Sequence, residues 1–386
     1  MTGRWRVPAG AVMAMVMTGI LVAGCGSKPA ATVRAAAPAA PPLTISFVGT
    51  GGSSWAVVDM GGSSAQHENF WQLFVRPAGT VTWKKATPLG VADNGGIVAA
   101  GAGGRSLVTG FRPSQYLKFS PLAATTDDGA SWSPGSLLEG GLASLPDALA
   151  AAPGGRLVAL TQAGRADLGA RLGASWTTLS SVQALARTAA GRACGLTRLT
   201  AGAFSSSGAP LLAGACRRPG TAGIFALRGG SWHLAGPATP AALAGRDVEV
   251  LALARSGQGE VALLQAGTGP GAGLTASWSA GPGGRWTVAP SLRTGSGQLR
   301  ATAFGTGGSV GVILSSGRGE TLAGPSASWR GLPALPRWTA TLALGPAGRV
   351  DAIAAHLGTF ADWRLSAGAW RKVQTIQVTI PYGSSG

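Results

Sequence analysis

The chain has 386 residues, including 63 Gly and 24 Pro, with 45% hydrophobic and only 12% charged residues. This composition excludes a coiled coil or a highly charged disordered chain, and it predicts a packed fold with many turns. The 31 Lys and Arg residues outnumber the 14 Asp and Glu residues, which gives a net charge of +17. The basic residues are scattered and form no run interleaved with aromatic residues. We therefore expect no nucleic-acid partner, and at most weak attraction to anionic envelope polymers or lipid head groups.

Residues 1–24 have the layout of an export signal. Arg4 and Arg6 precede a long uncharged stretch, and the small residues Val22 to Gly24 lead directly into Cys25. This end resembles the signal and lipobox of bacterial lipoproteins, which implies cleavage before Cys25 and attachment of fatty acyl chains, such as palmitate, to that residue. An uncleaved transmembrane helix is the alternative, because about 20 apolar residues can span a bilayer. In both cases we expect the rest of the chain to lie outside the cytoplasm, anchored to the cell membrane.

The next segment predicts a tether. Residues 25–43 are rich in Ala and Pro and show no hydrophobic period, which is typical of a semi-rigid, disordered linker. The folded domain is expected to span residues 44–381, and residues 382–386 a short disordered tail.

A unit of about fifty residues recurs along the folded part of the chain. In each unit a short apolar run, a turn ending in Gly and a second apolar run follow one another. The turn glycines Gly52, Gly104, Gly155, Gly208, Gly259, Gly308 and Gly348 are separated by 52, 51, 53, 51, 49 and 40 residues. A third run and a tryptophan that opens a fourth run complete each unit, at Trp83, Trp132, Trp176, Trp232, Trp278 or Trp286, Trp329 and Trp370. Such units predict four-stranded antiparallel blades, and packing the blades in a ring covers their faces. The predicted fold is therefore an all-β propeller with seven blades, with six blades as the alternative.

The hairpin of the second unit carries the most specific motif. The segment from Thr125 to Trp132 reads TTDDGASW, and it resembles the Asp-box of the BNR, sialidase-like and Ycf48-like propellers. Within it, Asp127 can accept hydrogen bonds from turn amides, with Ser131 in the motif's second hydroxyl position. Gly129 can adopt a positive φ, and Trp132 can pack into the blade. The other units keep the tryptophan and lose the aspartate. The resemblance implies a propeller in which this box is a structural hairpin away from the ligand face.

Two further features concern how the ring is held together. Cys194 and Cys216 flank the first hairpin of the fourth unit at nearly opposite positions, which predicts a disulfide in an oxidising compartment. Two buried free thiols are the alternative. Beyond the last tryptophan, Ile376–Ile380 (IQVTI) predicts one extra strand, which we expect to close the ring by pairing near Leu43–Val48.

The candidate binding face is the one formed by the loops between the second and third strands, because loops on a rigid scaffold carry function. These loops contain His67, Glu68, Arg112, Tyr116, Lys118, Arg165, Asp167, Arg217, Arg218, Arg318, Glu320 and His356. Basic side chains outnumber acidic ones, which favours a protein or glycan partner that bears carboxylates or phosphates. A solvated arginine rim without a ligand is the alternative.

Little in the sequence supports catalysis. A sialidase needs an arginine triad, a tyrosine nucleophile with its glutamate, an aspartate acid and a Phe/Tyr-Arg-Ile-Pro motif in the first blade. This chain offers Phe111-Arg112-Pro113 in the second unit and Tyr116 close by. The histidines His67, His233 and His356 lie in different units, so we predict no metal and no cofactor. We predict a monomeric, non-catalytic envelope lipoprotein that serves as a binding or assembly scaffold, with a sialidase-like exo-glycosidase as the alternative. A purely structural wall protein is a third interpretation.

Overall fold

The computed structural model describes residues 44–49, 51–61, 70–88, 96–111, 122–134, 146–161, 163–239, 245–256, 259–267, 271–281, 284–295 and 297–379. The predicted signal, Cys25, the tether and the C-terminal tail lie outside these residues. Our predictions about these segments therefore stay predictions.

The described strands form consecutive four-stranded antiparallel units, which we number 1 to 7. Units 1 and 2 contain β1 (Thr44–Val48), β2 (Ser54–Asp59), β3 (Trp71–Arg76) and β4 (Lys84–Lys85), then β5 (Ile97–Gly103), β6 (Ser106–Phe111), β7 (Leu122–Thr125) and β8 (Ser133–Pro134). Units 3 and 4 contain β9 (Pro146–Ala151), β10 (Leu157–Thr161), β11 (Arg165–Gly169) and β12 (Trp176–Ser181), then β13 (Leu196–Phe204), β14 (Pro210–Cys216), β15 (Gly223–Arg228) and β16 (Ser231–Leu234). Unit 5 contains β17 (Val248–Ser256), β18 (Gly259–Ala266), β19 (Gly273–Ser279) and β20 (Trp286–Val288), with β21 (Leu292–Arg293) also paired to β19. Units 6 and 7 contain β22 (Leu299–Phe304), β23 (Val310–Leu314), β24 (Gly319–Leu322) and β25 (Arg330–Gly331), then β26 (Thr339–Leu344), β27 (Val350–His356), β28 (Thr359–Ser366) and β29 (Ala369–Gln377).

The apolar strands are buried on both faces, because each sheet is packed between two others. In β2, Trp55 and Val57 pack with unit 2, whereas the alternate residues Ala56 and Val58 pack with unit 7. All four are completely buried. This explains why the second run of each unit is continuously apolar in sequence rather than alternating.

Buried clusters fill the interfaces between neighbouring units all the way round. Going from the interface of units 1 and 2 to that of units 7 and 1, the clusters include Ile97, Leu157, Phe204, Val250, Phe304, Leu342 and Phe360 in turn. Because unit 7 also packs against unit 1, the ring is closed. The predicted all-β propeller fold is confirmed.

The ring does not close through a shared strand, and our prediction for Ile376–Ile380 was wrong on this point. Ile376 belongs to β29, the outermost strand of unit 7, and lies opposite Phe360 of β28. The strand β1 is unable to accept it, because one edge of β1 pairs with β2 and the other pairs in parallel with β22. In that parallel pair Phe47 lies opposite Phe304.

Side chains join units 1 and 7 instead, along an interface that we call the seam. The rings of Phe74 and Phe360 stack with their centroids 4.1 Å apart. The amide of Gln374 holds the main chain of Trp83 on both sides, because its Oε1 accepts from the Trp83 N–H at 2.7 Å and its Nε2 donates to the Trp83 carbonyl at 2.8 Å. The Gly358 N–H also donates to the Met60 carbonyl at 3.0 Å.

A buried ionic cluster completes the seam. The Asp351 carboxylate accepts from Arg76 of unit 1, from Arg349 at 3.0 Å and from Arg364 at 3.1 Å. A second carboxyl, Asp362, is fully buried beside them and accepts no hydrogen bond from the described residues. Burial and the nearby charge of Asp351 raise the pKa of Asp362 to about 7, although Arg76, Arg364 and Arg349 act in the opposite direction.

The predicted disulfide between Cys194 and Cys216 is confirmed, with the Cα atoms 5.2 Å apart. Cys194 does not lie in a strand as expected. It ends the second of two short helices, α1 (Val182–Ala186) and α2 (Ala189–Cys194), which connect units 3 and 4. Gly195 then adopts a φ of +66° and terminates α2, so β13 begins only at Leu196, the register partner of Cys216.

Among the described residues, no helix is long and apolar enough to span a bilayer.

The hairpin of the Asp-box forms a dense hydrogen-bond network. Asp127 Oδ1 accepts from the Thr125 hydroxyl at 2.7 Å and from the Ser131 N–H at 2.9 Å, and Oδ2 accepts from the Ser131 hydroxyl at 2.5 Å. These bonds lower the pKa of Asp127. Gly129 adopts a φ of +72°, and Trp132 packs against the cluster between units 1 and 2. The network satisfies the turn internally.

The next residue, Asp128, links the hairpin to the neighbouring unit. Its buried carboxylate accepts from the Ser53 hydroxyl of unit 1 and from Arg105 Nε, both at 2.6 Å. Asp128 itself has a φ of +58°, a conformation that Asp tolerates better than most residues. The sequence motif alone gave no sign of this second role.

Candidate functional site

The connections that follow the second and fourth strands meet on one face of the ring. Arg318, after β23, donates through Nη2 to the Arg293 carbonyl at 2.7 Å, in the connection that leads into unit 6. The Arg217 N–H, after β14, donates to the Gly195 carbonyl at 3.2 Å, in the connection that leads into unit 4. On the opposite face the contact between Ser53 and Asp128 joins a β1–β2 turn to a β7–β8 turn.

The predicted face residues bind mainly within their own units. Arg165 Nε contacts Asp167 at 2.8 Å on the same strand, β11. Arg318 Nε contacts Glu320 at 3.1 Å across the start of β24. Arg217 and Arg218 lie exposed in the turn after β14, where the Arg218 N–H donates to the Cys194 carbonyl at 3.0 Å. The other predicted residues, His67, Glu68, Arg112, Tyr116 and Lys118, lie outside the described part of the chain.

His356, at the end of β27, is a predicted face residue that the structure places in a sizeable cavity. We call this cavity the unit 7 groove and define it by Arg337, Trp338, His356, Trp363, Trp370 and Lys372. Its volume is about 560 Å³, within the range of small-ligand sites. The connection from unit 6 forms one wall, and the face of the β27–β28–β29 sheet forms the floor. A second cavity, between units 4 and 5, has only about 60 Å³, so it can hold water rather than a ligand.

The Trp338 ring and its contacts with His356 and Arg337 form the upper wall of the groove. The rings of Trp338 and His356 are nearly parallel, at 4° and 3.9 Å between centroids. The guanidinium carbon of Arg337 lies over the Trp338 ring, 4.6 Å from its centroid. The Trp338 ring therefore contacts both the imidazole and the cation.

Trp338 is held in a conformation that a bulky residue rarely adopts. Its φ is +65°, and 49% of its surface is exposed. The main chain around it is fixed, because its carbonyl accepts from the Ala355 N–H at 3.0 Å and Arg300 donates to the carbonyl of the next residue, Thr339. Left-handed backbone at a bulky residue costs about 1 to 3 kcal/mol and is concentrated at functional sites. The strain marks this position as a candidate site.

The floor of the groove is aromatic and basic. Lys372 Nζ lies 5.0 Å from the ring centroid of Trp363, which is its register partner on the neighbouring strand. The Trp370 indole N–H donates to the Pro333 carbonyl at 3.5 Å, so this ring is oriented by the opposite wall. The described residues that line the groove include no Asp or Glu. Among the described residues, neither Arg337 nor Lys372 forms an ion pair, so both cations can accept an anionic ligand.

Sequence reasoning placed only His356 in this groove. Trp370 was recognised as a repeat residue, but Trp363 fits no repeat position, and that surplus tryptophan was the available signal. Arg337 and Trp338 follow a Pro-rich connection without period, so nothing in the pattern indicated that Trp338 stacks on His356 or that Arg337 contacts Trp338. Among the described residues, no three His, Cys, Asp or Glu side chains converge on a possible metal site.

No protein-family model matches the chain, and no curated protein matches it. Solved structures do. A candidate 6-phosphogluconolactonase from Bacteroides uniformis has a TM-score of 0.52 at 11% identity, covering 86% of this chain and 98% of its own. YCF48 from Cyanidioschyzon merolae gives 0.49 at 15% identity, covering 82% and 94%. The six-bladed fucose-binding lectin of Aleuria aurantia gives 0.40 at 13% identity, covering 88% and 96%. At such identities the likeness concerns the fold alone, and the neighbours are β-propeller proteins, as is this chain.

Proposed function

We propose that the protein is a lipid-anchored β-propeller of the cell envelope that binds an anionic partner through the unit 7 groove and catalyses no reaction. The observation that carries the proposal is the groove itself. It combines exposed aromatic surface, two cations that form no ion pair with the described residues, and a strained tryptophan beside a rigid sheet. The scattered positive charge of the whole chain adds attraction for an anionic partner at long range.

Binding of the purified full chain to immobilised acidic glycans and acidic peptides tests the groove. The double variant Arg337→Gln/Lys372→Gln is expected to lose binding to the ligand that the wild type prefers. Arg371→Gln is the matched control. It removes one positive charge from the same strand, but Arg371 lies opposite Arg364 in the strand register, on the face of β29 that points toward the seam and away from the groove. Equal binding by the double variant and the wild type would place the site elsewhere.

The anchor is tested separately. Cys25→Ser should abolish acylation and either release the protein into the medium or leave it on an uncleaved signal. Fractionation and metabolic labelling with a palmitate analogue measure both outcomes. Label retained by the Cys25→Ser protein would refute the lipobox assignment without touching the groove.

The sialidase-like alternative has its own assay. Turnover of a fluorogenic sialoside by the wild type, lost in Tyr116→Phe, would refute the non-catalytic proposal. We expect no turnover by either protein.

A further inference from the structure

The groove floor is a sheet face and not a sheet edge. The main-chain groups of β28 already pair with β27 and β29 along the floor. A peptide lying there is unable to add as a strand, which is the way extended peptides gain main-chain hydrogen bonds from a sheet. Recognition on this floor therefore depends on side chains.

Those side chains are flat rings with cations above them. The Arg337 guanidinium carbon lies over the Trp338 ring, 4.6 Å from its centroid, and the guanidinium carries five N–H donors and no acceptor. A guanidinium suits a carboxylate or phosphate, because two of its N–H groups can donate in parallel to two oxygens of the anion. The Lys372 ammonium lies over the Trp363 ring on a flexible side chain. It can move to bind an anion, and the Trp363 ring is then accessible to an apolar face of the ligand.

The cations and rings lie at both ends of the groove. Arg337 and Trp338 lie on the upper wall, whereas Trp370 and Lys372 lie on the outermost strand, β29. A ligand that contacts both cations and the floor rings of Trp363 and Trp370 must combine flat apolar faces with more than one negative charge. Sugar rings that carry acidic groups provide this combination along one chain.

We infer that the unit 7 groove binds an acidic oligosaccharide, with sugar rings against Trp363 and Trp370 and its carboxylates or phosphates on Arg337 and Lys372. This inference rests on the proposed function, since it names the ligand class of the same groove. An acidic peptide is the competing ligand class.

Isothermal titration of the full chain with four probes tests the inference. Hexagalacturonate carries carboxylates, phosphorylated maltohexaose carries phosphates, maltohexaose is uncharged, and hexaglutamate is an acidic peptide. We expect one or both of the charged sugars to bind at least roughly tenfold more tightly than maltohexaose and hexaglutamate. The stronger of the two charged sugars identifies the anionic group.

Variants locate the binding in the groove. Arg337→Gln and Lys372→Gln should each weaken binding of the preferred sugar roughly tenfold, and Arg371→Gln should leave it within about twofold. Trp363→Leu should weaken the charged sugars by a similar factor. If Trp363→Leu unfolds, as circular dichroism will show, the exposed Arg337→Gln decides the test.

The outcomes separate the two proposals. Hexaglutamate binding as tightly as either sugar, with loss in Arg337→Gln, would refute the glycan inference and leave an anionic partner standing. Equal binding of maltohexaose and the charged sugars would refute the role of the cations. No binding of any probe would refute both the inference and the proposed function.

Discussion

Replacing Asp362 by Asn should remove a pH-dependent loss of stability at the seam. The carboxyl is fully buried, and its oxygens accept no hydrogen bond from the described residues. Its pKa rises from the ordinary 3.8 to about 7, through burial first and the Asp351 charge second. The Asn side chain has the same shape and does not titrate, so the two proteins differ mainly in this ionisation.

The sign follows from proton binding. Because the native carboxyl keeps its proton up to about pH 7 while the unfolded one loses it near pH 4, the native state binds more protons between these values. The free energy of unfolding therefore falls as the pH rises through this window, and the loss is complete above it. A shift of about 3 pKa units corresponds to about 4 kcal/mol, of which about 3 kcal/mol is lost between pH 5 and pH 8.

Urea unfolding at pH 5, 6, 7 and 8, followed by tryptophan fluorescence, measures the effect. The stability of Asp362→Asn relative to the wild type should increase by about 3 kcal/mol from pH 5 to pH 8. Asp247→Asn, the same change at an exposed carboxyl, should run parallel to the wild type. If the stability of Asp362→Asn and of the wild type changes with pH in the same way, the raised pKa of Asp362 is refuted.

Three further changes test the packing of the ring. Replacing Cys194 and Cys216 by Ala removes a disulfide whose cysteines are separated by 22 residues. We expect the free energy of unfolding, measured by guanidinium titration, to fall by about 3 kcal/mol. An unchanged unfolding midpoint would contradict the presence of the disulfide. Phe360→Ala should lower the free energy of unfolding by about 3 to 5 kcal/mol and accelerate amide hydrogen exchange more in units 1 and 7 than in the other units. Equal acceleration in all units would contradict a local role of Phe360 at the seam. Asp128→Ala should lower the free energy of unfolding by about 2 kcal/mol, because the Ser53 hydroxyl loses its acceptor and Ala must adopt a positive φ. Asp128→Asn is the milder control, because it keeps an acceptor and removes the charge. Equal losses in both variants would disprove a role for the charge.

The repeated part of the fold was predictable because every blade solves the same packing problem. A second strand that is covered on both faces must be apolar throughout, and a tight turn before it favours Gly. Both requirements recur about every fifty residues, so the repeat of apolar runs and turn glycines is visible in the sequence. The first hairpins, the opening tryptophans of the outer strands and the disulfide pair were all found in this way.

The seam and the groove were not predictable, because each joins residues that the repeat does not relate. Arg76 and Asp351 are 275 residues apart and occupy positions that the other units fill differently. Trp338 lies in a connection whose length and composition follow no period. The prediction for Ala369–Gln377 was also wrong, because the sequence pattern divides this continuous nine-residue strand between an outer strand and a closing strand.

The parallel pairing of β1 with β22 has a consequence for how a polymer can approach. Main-chain hydrogen bonds between these first strands of units 1 and 6 leave no gap between the two strands, so a polymer has no route into the ring at this point. The groove opens instead along the outer strand of unit 7, at the rim of the disc. The acidic glycan that we propose as the ligand can therefore bind from the side, without presenting a free end.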